Sequence, residues 1–147
     1  MLTRDMNFLS AISLPDWLWD VAVINDNSAV VSMGSKTLVF LDISATQISV
    51  HSKLELPFIV KDLSAYKGKI ITANQFATPV SVRLIDNTGK LYWTTFLEQK
   101  EQLNTKSAAN VFDPSMSVIA PDRTRHTVYM LNAETGAILR RLTLEGK

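Results

Sequence analysis

The residues with the means to do chemistry are few in this chain and poorly spaced for it. There are two histidines, His51 and His126. Asp122 lies four residues before His126, but the stretch between them reads as loop, so they do not form a helical ligand pair. A metal site wants three or four converging ligands, and a surface position is the default for a histidine; no metal is expected. The absence of cysteine removes a thiolate site, a disulfide framework and a cysteine nucleophile. No serine stands in a Gly-x-Ser-x-Gly elbow, and no Ser, His and Asp constellation can be assembled. The five glycines form no phosphate-cradling loop. Catalytic residues and cofactors are therefore not expected, and the chain reads as a non-enzyme.

Binding chemistry is better supplied. Trp17 stands beside Pro15 and Asp16, in a loop where tryptophan serves either as packing or as an exposed anchor of the kind enriched in binding hot spots. Trp19 is expected to face the core. Lys36, Lys100, Lys106, Arg123, Arg125 and His126 all fall in loops that share one face if the strands are placed correctly. That face is either ordinary solvated surface or a basic patch for RNA phosphates or an acidic protein. The net charge of +1 argues against bulk nucleic acid or an anionic membrane as the partner. Asp20 and Asp62 recur at matching places and read as structural carboxylates that cap backbone N–H groups at a strand start.

Three hairpins position these groups. Thr127–Leu144 reads strand, turn, strand, with Asn132-Ala133-Glu134-Thr135-Gly136 at the reversal. Val80–Leu97 has the same plan around Asp86-Asn87-Thr88-Gly89, and Leu38–Leu56 has it without the glycine. Asn and Gly tolerate the positive φ that such turns need, so Gly89 and Gly136 are expected there. The hairpins recur at about 42 to 46 residues, a period that signals propeller blades.

Two further strands precede each hairpin: Trp19–Ile24 and Ala29–Met33, then Val60–Tyr66 and Ile70–Asn74, then Ala108–Phe112 and Ser117–Ala120. Pro15 and Pro57 punctuate the units, since proline cannot continue a ladder. Glu98–Lys106 is a polar insertion that reads as surface loop. The third strand of each unit is apolar on both faces (Leu38–Leu41, Val128–Leu131), as in small antiparallel sheets covered on both sides by radial packing. The fourth is amphipathic, as an outermost strand should be. The expected fold is all-β: a partial β-propeller of about three four-stranded antiparallel blades, over 15–56, 57–98 and 107–145, with one leftover N-terminal strand, Asn7–Leu14. A two-sheet sandwich competes, and the internal period counts against it.

The wording of the units carries a resemblance. PDWLWDVAVINDNSAVVSMGSKTLVFLDIS and GKIITANQFATPVSVRLIDNTGKLYW resemble successive blades of the NHL-type propellers in tripartite-motif-like proteins. The likeness covers roughly Leu14–Leu144. It implies a six-bladed propeller that recognises protein or RNA, joined in complete proteins to RING, B-box and coiled-coil segments that make a ubiquitin ligase. With no cysteine, neither RING nor B-box is present and ligase activity does not carry over. NAETGAILRRLTL is also similar to repeats of pyrroloquinoline-quinone enzymes, though those are richer in tryptophan.

Two functions remain: a non-catalytic recognition module with a protein partner foremost and RNA second, or a fragment of a lactonase- or quinoprotein-type propeller enzyme. No stretch approaches the roughly 18 apolar residues of a membrane span, the N-terminus lacks a signal-peptide core, and a soluble, cytoplasmic protein is expected. Three blades leave two terminal faces, expected to bare Leu38, Val39 and Phe40, or Val128, Tyr129 and Met130. A homodimer or further blades would then close the ring.

Overall fold

The computed structural model describes residues 9–74, 76–97, 117–122 and 125–143. The first sheet holds β1 (Leu18–Asn25), β2 (Ser28–Met33), β3 (Thr37–Ile43) and β4 (Ile48–Glu55) in sequential antiparallel order. The second repeats it with β5 (Asp62–Tyr66), β6 (Lys69–Asn74), β7 (Val80–Ile85) and β8 (Leu91–Leu97). The third pairs β9 (Ser117–Asp122), β10 (Thr127–Asn132) and β11 (Ile138–Thr143), β10 in the middle. The expected strand Ala108–Phe112 and the insertion Glu98–Lys106 lie outside the described residues. The fold is a partial β-propeller, all-β and antiparallel over the described residues.

The hairpin turns form as their residue types dictate. The Asp86 carboxylate accepts the backbone N–H of Thr88 at 2.8 Å and of Lys90 at 3.0 Å, and Gly89 follows at φ 88°. Asn132 does the same work, accepting from Glu134 at 2.8 Å and Thr135 at 3.2 Å, with Gly136 at φ 77°. Such Asx turns mimic a backbone turn and hand the positive φ to glycine. The turn without glycine uses Ser44, whose hydroxyl accepts the N–H of Gln47 at 3.1 Å.

The sheets stack face to face. Ala22, Val30, Leu38 and Phe40 of the first meet Ile70 and Ile85 of the second, with Leu56 and Val60 of the connecting segment sealed between them. The opposite face of the second sheet (Ile71, Val82, Leu84) meets Ala120, Tyr129, Leu131 and Ile138 of the third. Inner strands β2, β3, β6 and β7 are therefore buried on both sides, while the outermost β4 and β11 are largely exposed.

Two expectations need correction. The N-terminal strand does not form over its described part, 9–14. Those residues lie against the first sheet without a ladder: the Ser10 hydroxyl accepts the N–H of Ile48 at 3.3 Å, and Leu14 packs over Val31, Met33, Val39 and Leu41. That cover explains the second. Leu38 and Phe40 face the second sheet, Val39 lies on the covered side, and Tyr129 is wholly buried, so none of these forms a bare face. Val128 and Met130, each half-buried, do lie on the open face of the third sheet.

Candidate functional site

One end of the first two sheets presents a cluster of large apolar side chains in water. It is built on the β2–β3 turn. Gly34, at φ 64°, donates its N–H to the Trp17 carbonyl at 2.7 Å, and its own carbonyl accepts the Trp19 indole N–H at 2.6 Å. A Cβ on Gly34 would stand 2.9 Å from the Asp16 carboxylate, which fixes glycine there on two counts. Asp16 in turn accepts the Trp17 N–H at 2.7 Å. The same turn holds the link to the next sheet, for Leu56 donates to the Lys36 carbonyl at 2.8 Å and Val60 to the Ser35 carbonyl at 2.9 Å. The loop bearing Trp17 is thus clamped by backbone bonds.

On this base Trp17 is 78% exposed, Phe76 62% and Trp19 45%, with Leu18 also exposed between the tryptophans. The Phe76 ring sits 6.1 Å from that of Trp19, tilted by 57°. The Lys61 ammonium lies 3.6 Å over the Trp19 ring, a cation–π contact. Trp19 is therefore not the core residue expected: hydrogen bonding to Gly34 and stacking under Lys61 hold it at the surface. An open depression of about 350 Å³ runs over Leu14, Pro15, Asp16 and Trp17.

Trp17 and Lys36 are tied to the same turn, the one through the Gly34 N–H and the other as its last residue before β3. Arg125 and His126 stand in the β9–β10 turn of the third sheet, at the same end, because Arg125 donates to the Leu97 carbonyl at 3.0 Å and Leu97 pairs with Val80, which follows the Phe76 loop. Arg125 also contacts the buried Asp122 carboxylate at 3.5 Å, so its charge is compensated and it ties the third sheet to the second. His126 is exposed, at φ 51°. Arg123, Lys100 and Lys106 fall outside the described residues. Asp20 is the capping carboxylate expected of it: it accepts the N–H of Val21 at 2.8 Å and of Leu63, in the next sheet, at 2.9 Å. Asp62 takes the matching place in the ladder, opposite Ala73 as Asp20 is opposite Ser32.

Phe76, Lys61 and Arg83 escaped the sequence reading. Arg83 lies 4.3 Å over Phe58 and donates to the Ser81 hydroxyl at 3.0 Å; burial pushes its guanidinium below the usual arginine range. A phenylalanine in the loop TANQFATP was the available signal for the first. At the opposite end a polar cleft of about 300 Å³ between the first two sheets is lined by Asn25, Asp42, His51 and Asn87 among others. There His51 Nδ1 stands 3.1 Å from Asp42. Among the described residues no three His, Asp or Glu side chains converge as a metal site.

No family model and no curated protein matches this chain. Among solved structures, BamB from Moraxella catarrhalis superposes on 92% of the chain with a TM-score of 0.64 and 16% identity. Sqt1 from Saccharomyces cerevisiae covers 87% of it at a TM-score of 0.45 and 14% identity. BamB is a β-propeller, and at 16% identity that likeness shows the fold alone. This chain spans 39% of the length of the BamB structure.

Proposed function

We propose that this chain is a non-catalytic recognition module whose aromatic end receives a segment of a protein partner. The observation that carries this is the group Trp17, Leu18, Trp19 and Phe76, exposed together on a loop clamped through Gly34. Large rigid aromatics presented without an ordering cost are what binding hot spots are made of. Lys36 and Lys61 beside them favour a segment that carries acidic residues. On the resemblance to NHL-type propellers, the segment belongs to a substrate held for a ubiquitin-ligase-type protein in the cytoplasm, and the ring has six blades. RNA is the weaker candidate, because Arg125 already spends its charge on Asp122 and Leu97.

The test is selection from a phage-displayed random peptide library, with poly(U) RNA as a parallel probe. Peptides rich in aromatic and acidic residues should emerge, and Trp17→Ala should weaken them about 30-fold, the loss of a hot-spot side chain. Failure to select any peptide, or selected peptides indifferent to Trp17→Ala and Phe76→Ala, would overturn the proposal. Salt-sensitive binding of poly(U) alone would give the end to RNA instead.

A further inference from the structure

The two interfaces between sheets follow one rule, and the third sheet offers the receiving half of a third such interface. Cross-strand partners share a face, so Val30 with Phe40, Ile71 with Leu84, and Ile119 with Met130 take equivalent places in the three sheets. The first two pairs are buried by the sheet that follows. In the third sheet Ile119 is 62% exposed, and Leu142, paired with Val128 on the same face, is 61% exposed.

The turns repeat the rule. Gly89 of the second sheet's hairpin lies over Leu54 of the first sheet's outer strand, and a Cβ there would come within 3.3 Å of it. Gly136 of the third sheet's hairpin lies over Trp93 and Thr95 of the second, where a Cβ would come within 2.5 Å. Leu54, Thr95 and Leu142 are equivalent, being opposite Leu38, Val82 and Val128. Trp93 and Arg140 are equivalent too, opposite Leu84 and Met130. The Trp93 indole N–H donates to the Ala133 carbonyl in the next sheet's turn at 2.9 Å. Arg140 places another donor at that register.

We propose that the outer face of the third sheet seats a fourth antiparallel sheet of the same propeller. Its hairpin turn, with a glycine at positive φ, would lie over Leu142, and Arg140 would donate to a carbonyl of that turn. A second copy of this chain fits less well. Its first sheet has the corresponding face covered by Leu14, and pairing two third sheets about a two-fold axis would bring two Arg140 guanidinium groups into one desolvating interface.

Ile119→Cys, made at the natural locus, introduces a thiol that none of the other residues of this stretch competes with. Ile71→Cys serves as covered reference and Thr46→Cys as open reference. In native cell extract, maleimide labelling at position 119 should run roughly a hundredfold slower than at 46, as for a site reached only by local opening. A photo-cross-linker carried on the thiol of the Ile119→Cys variant should capture a peptide of alternating apolar residues that leads into an Asp- or Asn-containing turn with glycine. Labelling as fast as at 46, capture of a peptide from these same 147 residues, or capture of a segment without strand alternation would each overturn the proposal. Leu142→Cys, on the exposed outer strand, repeats the experiment should Ile119→Cys fold poorly.

Discussion

Asp20 accepts two backbone N–H groups, one in its own strand and one, that of Leu63, in the next sheet. Removing it leaves the Leu63 N–H without its partner at a half-buried joint, so Asp20→Ala should cost about 1–3 kcal/mol, read from the urea midpoint. Asp20→Asn, which keeps one acceptor, should cost less. Asp86 makes a different prediction. The Thr88 hydroxyl foremost, with the N–H groups of Thr88 and Lys90 and the Tyr92 hydroxyl, pulls its carboxyl down to about 2. Its unfolded value is near ~3.9, and a depressed folded value means stability that is full above that and lost as the pH falls toward 2. Carbon-13 titration should show Asp86 still ionised at pH 3; Asp86→Asn should remove that part of the acid dependence. Trp17, by contrast, is nearly bare, so Trp17→Ala should shift stability by less than about 0.5 kcal/mol while abolishing most peptide binding.

The hairpins separate two reasons for a glycine. Gly89 and Gly136 both need positive φ, and alanine at such a place costs about 1–2 kcal/mol. At Gly136 the added Cβ would also strike the Trp93 ring and the Thr95 hydroxyl, whereas at Gly89 it meets a Leu54 methyl that can yield. Gly136→Ala should therefore destabilise more than Gly89→Ala, by about 1–3 kcal/mol of overpacking, measured on the same denaturation curves. The positive φ was legible because an Asx residue precedes each glycine in a turn between apolar runs. The clash was not, since it depends on a tryptophan 43 positions earlier in the chain that only sheet stacking brings near (Trp93 to Gly136). The Trp19 expectation failed for the same kind of reason. Strand alternation says which face a side chain takes, but not that a turn carbonyl and Lys61 wait at the strand's end to hold the ring in water.

For the whole molecule, the internal period was enough to give blades, their strand order and the amphipathic outer strands, because each blade repeats the same local choices. It was silent on which faces lie bare: the segment 9–14 covers the first sheet by side-chain packing without a ladder, and unpaired packing leaves no alternation to read. It also scattered the basic residues along one end without showing that Arg125 is consumed by a joint between sheets. Recognition at the aromatic end is tested most directly by a hydrogen-exchange footprint of the chain with a selected peptide bound. Protection should concentrate in Asp16–Trp19, Gly34–Lys36 and the loop holding Phe76. Protection centred instead on the polar cleft of Asp42, His51 and Asn87 at the opposite end would contradict it.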